Sequence, residues 1–373
     1  MARNNNNKPD VYKGRRKKLN VLGIVLSAVA VLIVALFVLF GAFQKYIVYS
    51  NNGISLELPI LATPGAEEEE GERVFEQVNA ELEITDPDYS DIESQIDEEM
   101  EPLRAIFVPA ENVNTEGITP YVNKLNSVGG NALVLEVKPS SGQLVWATSV
   151  QLAADYGTAG TTDLGVLANT LKEQNIYLVA QLSCCTDDLL AQRYPAAALT
   201  LPGGTPYSDE DGYWVDPYNA TVTQYLTELC RELAGYGFDE LLFKNLAMPQ
   251  TDAALNYTVK LSSLPTPTSA VCGLAMDLTT ANTDVLCSVI LDTTSLRNGL
   301  SAQSGQNLSV FAKLFDRMYA SAGTIWQATV DRSSVDYWMY DGDLALRFIP
   351  ILGFQDTTGT FANWVYRVPE GML

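Results

Sequence analysis

From Leu103 onward the chain alternates strand-like apolar runs with stretches of helical spacing, over about 270 residues. LRAIFVPA (103–110) reads as a first strand, and ITPYVNKLNSVGG (118–130) as a helix closed by Gly129 or Gly130. NALVLEVKP (131–139) is a second strand. Asp163 is placed to cap LGVLANTLKEQ, which leads into a third strand at IYLVAQLSC (176–184). Val222, Leu226, Leu229 and Leu233 share one face of a helix over 218–234 that stops at Gly235. FDELLFKNLAMP (238–249) then supplies a fourth strand, a helical stretch covers 268–280, and VLCSVIL (285–291) follows. FAKLFDRMYA (311–320), LRFIPILGF (346–354) and FANWVYRV (361–368) complete the series. Parallel strands need a crossover between each pair, so this rhythm predicts an α/β fold closed as a (β/α)8 TIM-like barrel. The late portion is irregular, and one or two of its helices are expected to be short or missing.

The residues ahead of the barrel divide into four parts. Residues 1–20 form a basic tail carrying Arg15, Arg16, Lys17 and Lys18. Val21 to Phe43 runs without a charge, long enough for a transmembrane helix and too long for the apolar core of a signal peptide. The basic cluster precedes it and only Lys45 follows closely, so the positive-inside rule predicts a single-pass anchor in the cell membrane, with a cytoplasmic N-terminus and an extracellular barrel. In the juxtamembrane stretch 44–63, two apolar runs flank Asn51-Asn52-Gly53, a hairpin signal. Residues 64–102 form an acidic linker that opens with Glu67 to Glu70. The barrel domain occupies 103–373.

Composition excludes several functions. The net charge is −22, opposite in sign to a nucleic-acid footprint. With no histidine in the chain, a Ser-His-Asp triad, a Cys-His pair and histidine-ligated zinc are ruled out. Cys184, Cys185, Cys230, Cys272 and Cys287 form no CxxC pair, so neither a metal nor a redox motif is expected. Most read as small buried apolar residues, although one of the adjacent pair Cys184–Cys185 could line the barrel mouth. Phosphate-binding glycine loops are absent, and no cofactor is implied.

Function in such a barrel sits at the C-terminal ends of the strands. Those ends are Glu136–Lys138, Ser183–Cys185, Lys244–Asn245 and Asp292. The long loop after the third strand carries YSDEDGYWVDPYN (207–219), with Tyr213, Trp214 and Tyr218 among Asp209, Asp211 and Asp216. Aromatic faces stack on sugar C–H surfaces and carboxylates accept from hydroxyls; the same loop could equally pack its rings against the barrel rim.

The runs LRAIFVPA, GNALVLEVKPSSGQLVW, LGVLANTLKEQNIYLVAQLS with DDLLAQRYP, YWVDPYN, GYGFDELLF and SGQNLSVFA resemble the putative glycoside hydrolase domain family of bacterial surface proteins. YWVDPYN and GFDE carry the most specific part of the likeness, which spans 103–355. The resemblance implies a TIM barrel related to retaining glycosidases, in a protein that is exported or membrane-anchored. It also implies strand-end acidic residues: strand two keeps its Asp-Val-Lys in kind as Glu136-Val137-Lys138, although Pro139 and Ser140 follow where the family has acids, and other positions depart. Aligned on Phe238-Asp239-Glu240, the family's strand-four aspartate falls on Lys244, its tyrosine on Asn245 and its arginine on Ala247. A strand-three arginine falls on Gln181, and the strand-five aspartate on Ile290, two residues before Asp292.

Retaining glycosidases use two carboxyl groups about 5–5.5 Å apart. An ammonium in place of one opposes the positive charge that develops in their transition state. The expected function is therefore a catalytically degenerate barrel that binds a cell-wall or surface glycan, or a cell-envelope protein. Glu136, Lys138, Gln181, Tyr213, Trp214, Tyr218, Lys244 and Asn245 would line its site, with Glu136 and Lys244 facing each other as an ion pair. The alternative is an active retaining glycosidase using shifted carboxylates, with Asp216 and Asp292 as the candidates; Asp239 and Glu240 lie at the start of their strand, the wrong end. A Schiff-base lysine at Lys244 and a purely structural envelope module complete the alternatives.

Overall fold

The computed structural model describes residues 47–50 and 53–56, and then 100–258, 266–338, 344–356, 359–369 and 371–373. The apolar run 21–43, the basic tail and most of the acidic linker lie outside the described residues. Among the described residues no helix is long and apolar enough to cross a membrane. Ile47–Ser50 and Gly53–Leu56 pair antiparallel, with Ser50 opposite Gly53 across the two intervening asparagines. This pair belongs to a compact unit of its own, separate from the unit that begins at Asp88.

The second unit is a closed barrel of eight parallel strands in sequential order. They are β1 (Arg104–Val108), β2 (Ala132–Lys138), β3 (Tyr177–Ser183), β4 (Glu240–Lys244), β5 (Leu286–Ile290), β6 (Arg317–Ala322), β7 (Phe348–Leu352) and β8 (Trp364–Tyr366). Hydrogen bonding between β8 and β1 closes the ring. The crossover helices are α1 (Thr119–Ser127), α2 (Leu164–Lys172), α3 (Ala220–Gly235), α4 (Pro267–Thr280), α5 (Leu308–Leu314) and α6 (Ile325–Trp338). Between β7 and β8 the described residues form no helix, which accounts for the irregular late pattern in the sequence.

Local chemistry sets the helix boundaries. Asp163 caps α2 by accepting from the Val166 amide at 3.0 Å. Asn219 and Asn307 cap α3 and α5 in the same way, and Thr266 followed by Pro267 opens α4. Val222, Tyr225, Leu226, Leu229, Cys230 and Leu233 form the buried stripe of α3. FAKLFDRMYA, a single run in the sequence, divides at Phe315 into the end of α5 and the start of β6.

Alternation along each strand sorts side chains into two cores. Leu133, Leu135, Leu178, Leu182, Leu241, Phe243, Val289 and Met318 face outward beneath the helices. Ala105, Val134, Val179, Leu242, Tyr319, Ile349 and Val365 fill the barrel. The N-terminal end of the interior is closed by a buried polar cluster. Arg317 Nη1 lies 2.6 Å from Glu240 Oε2, with both side chains essentially inaccessible. Tyr319 donates to Glu240 Oε1 at 2.6 Å, Tyr177 donates to Oε2 at 3.1 Å, and Arg317 Nη2 reaches the Glu101 carbonyl. Burial in this cluster, together with the Glu240 charge, pushes both phenols well above their ordinary range.

Breaking a buried ion pair on one side leaves the other charge uncompensated. Glu240→Gln is therefore expected to destabilise the fold by about 3–5 kcal/mol. A urea unfolding midpoint within error of wild type would contradict this.

Candidate functional site

Three inward positions meet where β2, β3 and β4 end. Glu136 lies opposite Gln181 in the β2–β3 register, and Ser183 opposite Lys244 between β3 and β4. Lys244 Nζ lies 3.7 Å from Glu136 Oε1, and the Gln181 amide donates to the same oxygen at 3.4 Å. The expected pairing of Glu136 with Lys244 is thus present, with both side chains partly open to solvent. A pair of that length and exposure is worth on the order of 1 kcal/mol or less. It defines the electrostatics of the mouth more than its stability.

Arg367, just past β8, adds a second cation to the mouth. Its guanidinium lies 4.4 Å from the centre of the Phe107 ring, and its Nε is buried without a hydrogen-bond partner. Burial pulls the Arg367 pKa down from its ordinary value, and the nearby Glu136 charge opposes that shift. Sequence reasoning missed Arg367, although the alternation that turns Val365 inward carries on to it two residues later.

Lys138 does not join the mouth. The β2–β3 register slips between Glu136 and Lys138, so that Val137 and Lys138 together oppose Leu182 on the outward layer. There Lys138 is buried, pairs with Asp187 Oδ2 at 2.8 Å and donates to the Ser183 carbonyl. Asp187 in turn caps the short helix Asp188–Arg193. Strict alternation had kept Lys138 on Glu136's side of the sheet; the bulge moves it away.

Asn245 turns the chain sharply at the end of β4, with a left-handed backbone (φ 51°) that asparagine tolerates better than most residues. Its side-chain amide donates to Thr186 Oγ1 at 2.6 Å, and Thr186 donates on to Ser140. These hydroxyls join the ends of β2, β3 and β4. Cys184 and Cys185 follow Ser183 into the outward core rather than the mouth, and all five cysteines are free thiols. Burial pushes the Cys185 thiol up to about 12, and those of Cys184 and Cys230 also well up. None is a nucleophile in this setting.

Beside this floor lies a cleft of about 550 Å³, within the size range of small-molecule sites. One wall is the tip of a hairpin, Ser208–Asp209 with Gly212–Tyr213, which presents Asp209, Glu210 and Asp211. Tyr207, Trp214, Asn245, Ile290, Asp292 and Gln306 form much of the remainder. The Tyr213 amide donates to Asp188, fastening the hairpin to the rim. Trp214 is buried, and its indole N–H has no partner. Burial raises the Asp211 pKa, Asp209 and Glu210 raise it further, and the Lys244 ammonium opposes them. The cleft therefore has an acidic wall, with the Lys244 ammonium close enough to act on Asp211.

The remaining sequence candidates divide. Asp292 lines the cleft, but Oδ1 accepts from the Ser295 amide at the start of the short helix Thr293–Asn298, and Oδ2 accepts from Ser304. Asp216 is fully buried. Its Oδ1 accepts from the Tyr218 amide, and its Oδ2 from both the amide and hydroxyl of Thr258 at 2.6 and 2.8 Å. It ties the loop after β3 to the loop after β4 and takes no place at the cleft. Tyr218 is also elsewhere, bonded to Ser269 and the Thr266 carbonyl at the start of α4 and edge-on to Tyr257. Tyr213 packs on the outward core. Of the aromatic cluster only Trp214 lines the cleft, because the β3–α3 loop folds back upon itself as a hairpin. Ile290 occupies the inward end of β5, and Gln306 fastens Asp292 to β4 and β5 through the Asp292 amide and the carbonyls of Leu246 and Ile290.

The sequence profile of the family described as "putative glycosyl hydrolase domain" matches residues 105–319. The chain belongs to this family. Its match spans β1 to the middle of β6 and so includes Glu136, Gln181, Lys244 and the residues that line the cleft, while Arg367 lies beyond it. No curated protein matches the sequence. Among solved structures, a hypothetical protein from Ruminiclostridium thermocellum is 23% identical, covering 49% of this chain and 96% of its own, with a TM-score of 0.43. An alpha-galactosidase from Thermus thermophilus is 12% identical, covering 73% of this chain and 59% of its own, with a TM-score of 0.45. A beta-N-acetylhexosaminidase from Streptomyces coelicolor is 11% identical, covering 71% of this chain and 53% of its own, with a TM-score of 0.42. The chain thus spans less than two thirds of either named enzyme.

The raised Asp211 pKa has a testable sign. A carboxyl whose pKa is higher in the folded than in the unfolded state stabilises the fold most when protonated; that contribution is lost as pH rises through the raised value. The stability of Asp211→Asn relative to wild type is therefore expected to increase from acid to neutral pH. Unfolding midpoints whose difference stays flat across that range would contradict it.

Proposed function

We propose that this domain binds carbohydrate in the cleft at the C-terminal end of the barrel and does not hydrolyse it. The observation that carries this reading is the Lys244–Glu136 pair at 3.7 Å, which sets an ammonium at the strand-four end where the family resemblance puts an aspartate. A cation there disfavours an oxocarbenium-like transition state. The two alternative carboxylates support the same reading. Asp216 is enclosed by three hydrogen bonds, and both Asp292 oxygens already accept from serines.

Binding needs only what the cleft retains: acceptor carboxylates on the hairpin, an asparagine, and the edge of the Trp214 indole. The occupant we favour is a neutral polyhydroxylated sugar, whose hydroxyls donate to Asp209 and Asp211. Residues 21–43 would hold the barrel on the outer face of the cell membrane, among cell-wall and surface glycans. What supports this placement is the uncharged run preceded by Arg15 to Lys18.

Display of the labelled full chain on a glycan array tests the proposal. We expect retention on a subset of oligosaccharides, weakened at least about tenfold in the double variant Asp209→Ala with Asp211→Ala, since hydrogen bonds to charged groups contribute about 1.5–3 kcal/mol each. No retention on any glycan, or retention indifferent to the hairpin variant, would overturn it.

A further inference from the structure

The most exposed apolar surface in the described residues is not at the mouth. It lies on α6, where Trp326 is 76% exposed, Tyr337 72% and Val330 42%. Trp326 and Tyr337 are eleven residues apart, which is about three helical turns, so they share one face at a separation of roughly 16 Å. The opposite face of α6 is buried through Ala328, Asp331 and Val335. A groove of about 440 Å³ runs along the exposed face, with Thr329, Ser333 and Ser334 between the rings and Arg297 and Asn298 at its edge.

The platform is braced. Tyr337 meets Trp338 edge-on, with ring centres 5.0 Å apart. Trp338 in turn packs where Gly299 ends the helix Thr293–Asn298. That glycine has a left-handed backbone, and the indole lies 2.1 Å from where its Cβ would stand. No larger residue fits there with Trp338 in place.

We propose that this face of α6 is a second carbohydrate site, one that takes an extended polysaccharide across Trp326 and Tyr337. Each exposed ring offers an apolar face to the C–H side of a sugar. The hydroxyls, amide and guanidinium between and beside the rings match a chain dense in hydroxyl groups. The spacing of the rings suits an oligosaccharide several hexoses long and exceeds a single hexose.

A lipid surface is the competing occupant, since tryptophan and tyrosine also favour membrane interfaces. Three observations favour the polysaccharide. Among the described residues that line the groove Val330 is the one aliphatic side chain and Arg297 the one cation, and the chain carries a net charge of −22, which an anionic leaflet repels. The α6 face shares no lining residue with the mouth cleft, so the two sites can fail independently.

The test is co-sedimentation of the full chain with chitin, cellulose and peptidoglycan sacculi. Wild type is compared with Trp326→Ala, Tyr337→Ala, Trp326→Phe and the hairpin variant Asp209→Ala with Asp211→Ala. Both alanine variants replace exposed rings, and unchanged unfolding midpoints verify that they fold. We expect retention on at least one polysaccharide. It should fall about tenfold for either ring removed, the scale of one aromatic contact, and persist in Trp326→Phe and in the hairpin variant. Retention lost in the hairpin variant but kept in Trp326→Ala would overturn this site and leave the mouth reading standing. Retention on none of the three polymers would overturn it too, as would partition into phosphatidylglycerol–phosphatidylethanolamine vesicles that Trp326→Ala abolishes.

Discussion

The buried ion pair between Glu240 and Arg317 holds β4 and β6 in a fixed relation at the closed end of the barrel. Two charges removed from water survive there only because Tyr177 and Tyr319 supply the remaining hydrogen bonds to the carboxylate. Alternation does the rest. Once Glu240 is committed to the interior, Leu242 and Lys244 follow it inward at steps of two, and Lys244 emerges at the opposite end facing Glu136. A single strand thus carries an anion at the sealed end and a cation at the open one. Slipping β4 by one residue would bury Leu241 and Phe243 in the barrel and turn both charges out beneath the helices.

The mouth is accordingly a different chemical object from a pair of opposed carboxylates. Glu136 pairs there with Lys244 and its charge acts on Arg367, while the acidic side chains stand on the hairpin wall. A sugar in the proposed site would meet hydrogen-bond acceptors on the hairpin side. That arrangement orients hydroxyls, whereas it offers no free carboxylate nucleophile at the end of β4. Three carboxylates around the rim act as mortar instead. Asp187 holds Lys138, Asp216 holds Thr258 and Asp292 holds Ser304, so these three acids are already bonded.

Much of this was legible in the amino-acid order. The eight strands, the Asp163 cap and the α3 stripe follow from periods of two and 3.6 residues, and those periods survive where helices cover the outward faces. The Glu136–Lys244 pair was legible because both residues end strands whose inward phase is set by their apolar neighbours. Lys138 was not, since a bulge leaves no mark in a sequence that reads Glu-Val-Lys either way. Tyr218 and Asp216 were misplaced for a related reason: the β3–α3 loop carries the right residue types, but its hairpin fold sends only Tyr207, Trp214 and the acidic tip to the cleft. Arg367 went unnoticed because a three-residue last strand gives the alternation little length in which to show itself. The exposed rings of α6 are visible in structure alone, since spacing identifies a helix face without saying what covers it.

The claim on which the account turns is that an ammonium at the end of β4 leaves binding without turnover. The most direct measurement is release of new reducing ends from a polysaccharide that the full chain retains, followed to many times the residence time of the complex. The account predicts saturable retention and release no faster than with the polymer alone. Release that scales with protein concentration and disappears in Asp211→Asn or Asp292→Asn would contradict it and identify a working glycosidase.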